Sequence, residues 1–272
     1  MVQDLLLIGC GKMGGALLTG WLAADLVERV VVVEPSEAGL PAGLGDDPRV
    51  THLRDADALP DDAAPAIAVL AVKPQRMEDV IPVCRRLADR GTCFLSIAAG
   101  KTLAWFEDRI GADAAIVRAM PNTPAAISRG VTALVANTRT PVERLDACER
   151  LMAAVGTVER LDDEGLMDAV TAVSGGGPAY TFLLIEALAH AGAEAGLPPD
   201  MAARLARRTV IGAGALAEES PDEPAILRRN VTSPGGVTEA ALGVLMAEND
   251  GVGPLFDRAI AAAVARSRAL GE

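Results

Sequence analysis

Short apolar strands alternate with helical segments through the first half of this 272-residue chain. A glycine turn of the form GxGxxG follows the first strand at once, and the strand pattern stops beyond Leu161. Together these observations predict an α/β fold. An N-terminal Rossmann-type dinucleotide-binding domain, residues 1–162, is expected to precede a C-terminal all-helical domain, residues 163–272, which the residues described below mark as the expected dimerisation and substrate-binding part.

The apolar run Leu5 to Ile8 is the first strand. Gly9-Cys10-Gly11-Lys12-Met13-Gly14 follows, then an Ala- and Leu-rich helix from Gly15 to Leu26 and a second buried strand, Val30 to Val33. That is the order the dinucleotide fold demands. Gly9 permits a tight turn, Gly11 lets backbone approach a pyrophosphate, and Gly14 lets the helix pack closely. The pyrophosphate is expected at the positive end of the helix. Glu34 closes the second strand, about 20 residues on, where a carboxylate accepts a bond from an adenosine ribose hydroxyl and repels an added phosphate. The next arginine, Arg49, is too distant in sequence to be assumed a phosphate clamp.

The alternation continues with strands at Ala66–Val72, Cys93–Ala98, Ala114–Met120, Val131–Ala136 and Val155–Glu159. Helices are expected at Arg76–Arg90, Leu103–Ile110 and Val142–Val155, giving a mostly parallel sheet covered on both faces. Ligands of such sheets bind outside the carboxyl ends of the strands. That directs attention to Ala71-Val72-Lys73-Pro74, to Ala98-Ala99-Gly100 and to Met120-Pro121-Asn122-Thr123-Pro124. Lys73 is a candidate near the nicotinamide, and Asn122 and Thr123 suit either the pocket or a turn between prolines.

In the second half, helices are expected over Leu166–Val173, Ala179–Ala195, Pro198 to about Glu219, a short stretch to Arg229, Thr238–Glu248 and Pro254–Ala269. Ser174-Gly175-Gly176-Gly177-Pro178 interrupts the first two. Ala179 to Ala193 is almost entirely apolar, and a helix apolar all round needs burial on all sides. About a hundred residues offer little core for that, so at least a homodimer is expected. Ser233-Pro234-Gly235-Gly236-Val237-Thr238 reads as a nest before a helix, suited to a carboxylate or equally to a plain helix start.

Composition removes several classes. The formal net charge is −12, with 37 acidic against 25 basic residues and only 3% aromatics. A nucleic-acid partner is not expected. No apolar stretch is long enough for a membrane span, and no signal peptide is read at the amino terminus. Cys10, Cys84, Cys93 and Cys148 lack metal-ligand spacing, and only His52 and His190 could serve as histidine bases. No metal is expected, and four reduced thiols fit a cytoplasmic location.

The motifs jointly resemble the pyrroline-5-carboxylate reductase family, nearly end to end. They are Ile8 to Gly14, Ala71 to Pro74, Met120 to Pro124, Val173 to Tyr180, and Asn230-Val231-Thr232-Ser233-Pro234-Gly235-Gly236-Val237-Thr238. The first is shared by many dehydrogenases; the last two are specific in combination. The resemblance implies hydride transfer from NADPH or NADH to the imine carbon of 1-pyrroline-5-carboxylate, giving L-proline, the final step of proline biosynthesis. It implies a substrate site at Asn230, Ser233, Gly235, Gly236, Val237 and Thr238, with Thr238 and Lys73 as catalytic residues. It implies cofactor contacts from Gly9 to Gly14, Glu34, Ala71 to Pro74, Asn122, Ser174, Gly176 and Pro178. Interlaced homodimers, in some members rings of dimers, and active sites joining the cofactor domain of one chain to helices of a partner are also implied. Two departures stand out. Glu34 occupies a place where many members carry a small polar residue suited to NADPH, and the glycine run 175–177 is uninterrupted.

Two other readings compete. A hydroxyacid dehydrogenase of similar layout needs a lysine in its helical domain, and no lysine follows Lys101. A non-catalytic NAD-binding protein has no use for a carboxylate loop.

Overall fold

The computed structural model describes residues 2–36 and 40–271, and every count below is of these. The chain divides into two compact units, residues 1–175 with 264–272, and residues 176–263. The strand pattern ends near 162/163, and the compact units part later, at 175/176.

The first unit holds β1 (Val2–Ile8), α1 (Lys12–Ala23), β2 (Val27–Val33), β3 (Val50–Leu53), β4 (Ile67–Leu70) and α2 (Met77–Ala88). It continues with β5 (Cys93–Ser96), α3 (Leu103–Ile110), β6 (Ala115–Met120), β7 (Gly130–Ala136), α4 (Val142–Ala153), β8 (Gly156–Arg160) and the one-turn α5 (Met167–Val170). The eight strands form one sheet in the order β3-β2-β1-β4-β5-β6-β7-β8. Successive side chains of a strand point to opposite faces. Thus Leu5 and Leu7 join one core with Leu17, Leu18 and Trp21 of α1 and Leu151 of α4. Leu6 and Ile8 join the other, with Leu87 of α2 and Phe106 of α3. Trp21 Nε1 donates to the Leu151 carbonyl at 2.8 Å, so the one polar atom of that buried ring is satisfied.

The sheet is parallel except where β7 runs antiparallel to β6. The intervening 121–129 is too short for the crossover helix a parallel return requires, so the strand turns back on its neighbour. Strand β3 was not anticipated. It is four residues long, half polar, and pairs only with β2 at the sheet edge, so it lacks the apolar run of a central strand. Helix α1 begins at Lys12, not Gly15, because Gly11 already serves as its N-cap.

Beyond α5 the backbone widens into a π-helical turn, Thr171–Gly175; Gly176 is a bend, and α6 (Gly177–Glu194) starts after it, so the interruption expected over residues 174–178 falls at Gly176. The second unit comprises α6, α7 (Pro199–Glu219), α8 (Pro224–Asn230), α9 (Val237–Leu245) and the start of α10 (Val252–Gly271). The short connection after α6 pairs it with α7 around Ala202 and Ala206, which are buried, and Tyr180 meets Phe256 edge-on at 6.2 Å. No residue of α6 is buried; Phe182 is 58% and Leu183 63% exposed. The last turns of α10 belong to the first unit, where Ser267 Oγ donates to Asp168 at 2.6 Å.

Candidate functional site

The strand order reverses between β1 and β4, and their carboxyl ends frame the candidate cofactor cleft. Gly9 lies at φ +94°, and a Cβ there would sit 2.7 Å from the Ala71 carbonyl oxygen. Conformation and space both demand glycine. A Cβ at Gly14 would collide with the Gly9 carbonyl, whereas Gly11 has open space before it. This is a cradle that side chains would fill or block, and it fits a dinucleotide. The opening N–H groups of α1 have no intrahelical partner, and no acid stands in its first turn, so a pyrophosphate is favoured there. The cleft walls carry Gly9, Gly11, Glu34, Ser36, Val72 and Lys73, and on the neighbouring side Cys10, Lys12 and Thr19. Lys73, exposed, begins a 3-10 turn at Pro74–Arg76, whose Arg76 is held by Asp79 at 2.6 Å.

Glu34 does not swing free. Its Oε2 accepts from the Cys10 N–H at 2.6 Å, its Oε1 accepts from the Ser36 N–H at 2.9 Å, and His52 Nε2 bonds its carbonyl at 3.0 Å. Arg54, one residue beyond β3, lines the same cleft. Reasoning from sequence missed it because β3 was missed; the valine-threonine-histidine-leucine alternation at 50–53 was the available signal.

Asn122, expected at the cofactor, is bonded at both ends to backbone. Its Nδ2 donates to the Ser174 carbonyl at 3.1 Å and its Oδ1 accepts from the Val131 N–H at 3.0 Å. Thr123 opens the 3-10 turn Thr123–Ile127. Gly176 and Pro178 stand at the start of α6.

In the second unit Asn230 ends α8 and Gly236 caps α9 with extended backbone. The nest differs from expectation. The Gly235 N–H, at φ +69°, donates to Glu239 Oε2 at 2.7 Å, and the Gly236 N–H donates to the Ser233 carbonyl at 3.0 Å. Glu239, three residues into α9, reaches back as acids do in capping boxes; that spacing after Gly236 was a signal not used. The N–H groups of Val237 and Thr238, first in α9, and the Thr238 hydroxyl are the donors the helix leaves for an anion.

Among the described residues no cluster of histidine, cysteine, aspartate and glutamate could hold a metal, and no helix is long and apolar enough to cross a membrane. All four cysteines are buried and free. Burial, with the charge of Glu34, pushes the Cys10 thiol up to about 11, and burial pushes Cys84 up to about 12. A hydrogen bond with Cys93, and burial, hold Cys148 well above the ordinary range.

The C-terminal residues 164–270 match the family model described as pyrroline-5-carboxylate reductase dimerisation, and residues 5–100 match one described as NADP oxidoreductase coenzyme F420-dependent. The chain is 38% identical over 266 residues to the pyrroline-5-carboxylate reductase of Pseudomonas aeruginosa, spanning 97% of this chain and 96% of that one. It is 39% identical to that of Synechocystis, spanning 97% and 99%. A solved pyrroline-5-carboxylate reductase from Coxiella burnetii superposes with a TM-score of 0.90 at 33% identity, covering 100% of both chains. One from Plasmodium falciparum, with NADP bound, gives 0.80 at 27% identity, covering 99% of this chain and 98% of that one.

The thiol shifts set an alkaline limit. A thiol protonated in the fold but ionising near 9.0 when unfolded contributes stability below about pH 9 and loses it as pH rises through 11 to 12. The urea midpoint is expected to hold from neutrality to about pH 8.5 and fall above 9. A disulfide reagent at pH 8 is expected to titrate the four cysteines only after unfolding. Rapid labelling of the native protein contradicts this.

Proposed function

Because the chain belongs to the pyrroline-5-carboxylate reductase family, an NAD(P)H-dependent group of oxidoreductases, we propose how its own residues reduce 1-pyrroline-5-carboxylate to L-proline. The bound dinucleotide supplies the hydride that reduces the imine carbon. The Gly9–Gly14 turn holds the pyrophosphate at the start of α1. Ala71, Val72, Lys73 and Pro74 line the nicotinamide end, with Lys73 orienting the reacting ring; Ser174 borders it.

The observation that carries the substrate reading is the start of α9. The N–H groups of Val237 and Thr238 lie in the first turn of α9, before any intrahelical acceptor, and Thr238 adds a hydroxyl to the same turn. Val237 and Thr238 bind the substrate carboxylate there. Ser233 and Gly236 shape the turn, Gly235 gives it its left-handed residue, and Asn230 ends the helix leading in. A hydroxyl both donates and accepts. Thr238 can therefore stay bonded to the ring nitrogen as it passes from iminium to amine. Imines are basic and can arrive protonated, so orientation and exclusion of water carry much of the work.

The helical half, 163–272, pairs two chains. Phe182, Leu183 and Leu184 of α6 and Val244 of α9 are more than half exposed in the single chain, which a second copy would cover. Four free thiols fit residence in the cytoplasm.

With fresh cyclic imine, the parent is expected to oxidise NADH or NADPH, and Thr238→Ala to fold but lose kcat/KM by roughly 10- to 100-fold, the equivalent of about 1–3 kcal/mol. A folded parent without turnover refutes the substrate, and an unchanged variant refutes the role of Thr238. Sedimentation at micromolar concentration is expected to show a homodimer; a folded, active monomer rules that out.

The cofactor preference turns on Glu34. Pinned by two backbone N–H groups, its carboxylate stays where the ribose 2′-oxygen is expected, accepting from a hydroxyl and opposing a phosphate. NADH is therefore expected to be used at least as well as NADPH. Glu34→Ser is expected to move the ratio of kcat/KM values toward NADPH by about tenfold. A parent strongly preferring NADPH, or a ratio unmoved by the substitution, defeats the assignment.

A further inference from the structure

The π-helical turn Thr171–Gly175 has a defect written into the sequence beyond it. In a continuous helix the Ser174 carbonyl would accept from the N–H of residue 178. That residue is Pro178, which has none. The carbonyl is left without a helical partner, although Gly176 next along keeps right-handed helical dihedrals. An unpaired carbonyl in a half-buried setting is costly, and the structure supplies a donor from far along the chain: Asn122 Nδ2, at 3.1 Å. The other end of that amide is fixed by the Val131 N–H, and Asn122 is only 9% exposed. Its neighbour Met120 abuts the same turn, since a Cβ at Gly175 would sit 2.7 Å from Met120 Cε. Thr171 and Ser174 bond back to the carbonyls of Met167 and Val170, at 2.8 and 2.9 Å, which bends a helix and suits its widening here.

We propose that Asn122 is a positioning residue whose amide replaces the N–H that Pro178 lacks, docking the π-turn on the end of β6. The proline-asparagine-threonine-proline and serine-triple-glycine-proline motifs are then two halves of one device. The proline leaves a carbonyl open, and the asparagine closes it only when Ser174 and Gly175 lie at the carboxyl end of β6. Both ends of the amide hold backbone, which fixes its plane and its place in the fold. For catalysis the proposal rests on the reading that Ser174 borders the nicotinamide.

The test is a double-mutant cycle on the full chain. Asn122→Ala is expected to lower Tm and to speed amide exchange across residues 171–178. In a Pro178→Ala background the new N–H can close the Ser174 bond, and at least about half of that loss is expected to vanish. Losses that simply add in the two backgrounds overturn the proposal. Where Asn122→Ala does not fold, Asn122→Asp serves in the same cycle, since it keeps the acceptor for Val131 and removes the donor. This arm needs no activity, so it is decided apart from the reading of the nicotinamide site. In the kinetic arm Asn122→Ala is expected to lose about tenfold in kcat with its Kd for NADH held within about twofold, and the double variant to regain turnover. A Kd weakened about tenfold, with turnover at saturation intact, would make Asn122 a cofactor ligand and overturn the positioning role.

Discussion

The close approach of α1 to the turn that precedes it is the constraint on which the rest of the first unit depends. Gly14 stands against the Gly9 carbonyl with no room for a side chain, and Gly9 stands against Ala71 with no room for its own. These contacts seat the helix start over the carboxyl ends of β1 and β4, where the sheet order reverses. Its unpaired N–H groups then face the cleft, and Trp21, further along the same helix, packs under the sheet and ties α1 to α4 through Leu151. One backbone contact thus sets the anion site and the helix packing together.

A chain of net charge −12 that handles anionic ligands must solve its electrostatics locally. It does so in the same manner twice. In each candidate loop a resident carboxylate bonds a loop N–H: Glu34 that of Cys10 at 2.6 Å, and Glu239 that of Gly235 at 2.7 Å. Each acid stiffens the turn it caps and leaves the N–H groups at the start of the following helix to a ligand. The glutamates therefore act first on loop geometry. Any discrimination against a further negative charge, such as a ribose phosphate, follows from where that geometry parks them.

The second unit poses a different problem. Its helices bring together few buried residues, Ala202 and Ala206 among them, while large apolar side chains remain open on α6 and α9. Small residues at the α6–α7 contact let two backbones approach but bury little area. Covering such apolar surface is worth about 25 cal/mol per Å². Residues 164–270 match a family model described as pyrroline-5-carboxylate reductase dimerisation, and a second copy would cover that surface.

By itself the sequence determined whatever is local and periodic. Short continuous apolar runs marked the central strands, the spacing of Gly9, Gly11 and Gly14 marked the turn, and the loss of strand pattern after Leu161 marked the change of architecture. These signals are readable because each is imposed by a short stretch of backbone on its own side chains. What tertiary structure decided are the pairings between distant residues. An edge strand such as Val50–Leu53 exists because β2 offers a free edge, not because its own residues are strongly apolar. Asn122 looked like a turn or pocket residue until Ser174 and Val131 claimed its two ends, 52 and 9 residues away. The glycine-proline run reads as a break, and Gly176 is one, but nothing local announces the π-turn before it or the distant donor that serves the Ser174 carbonyl. Hydrogen bonds across such separations leave no periodic trace in the chain, so only the assembled fold could assign them.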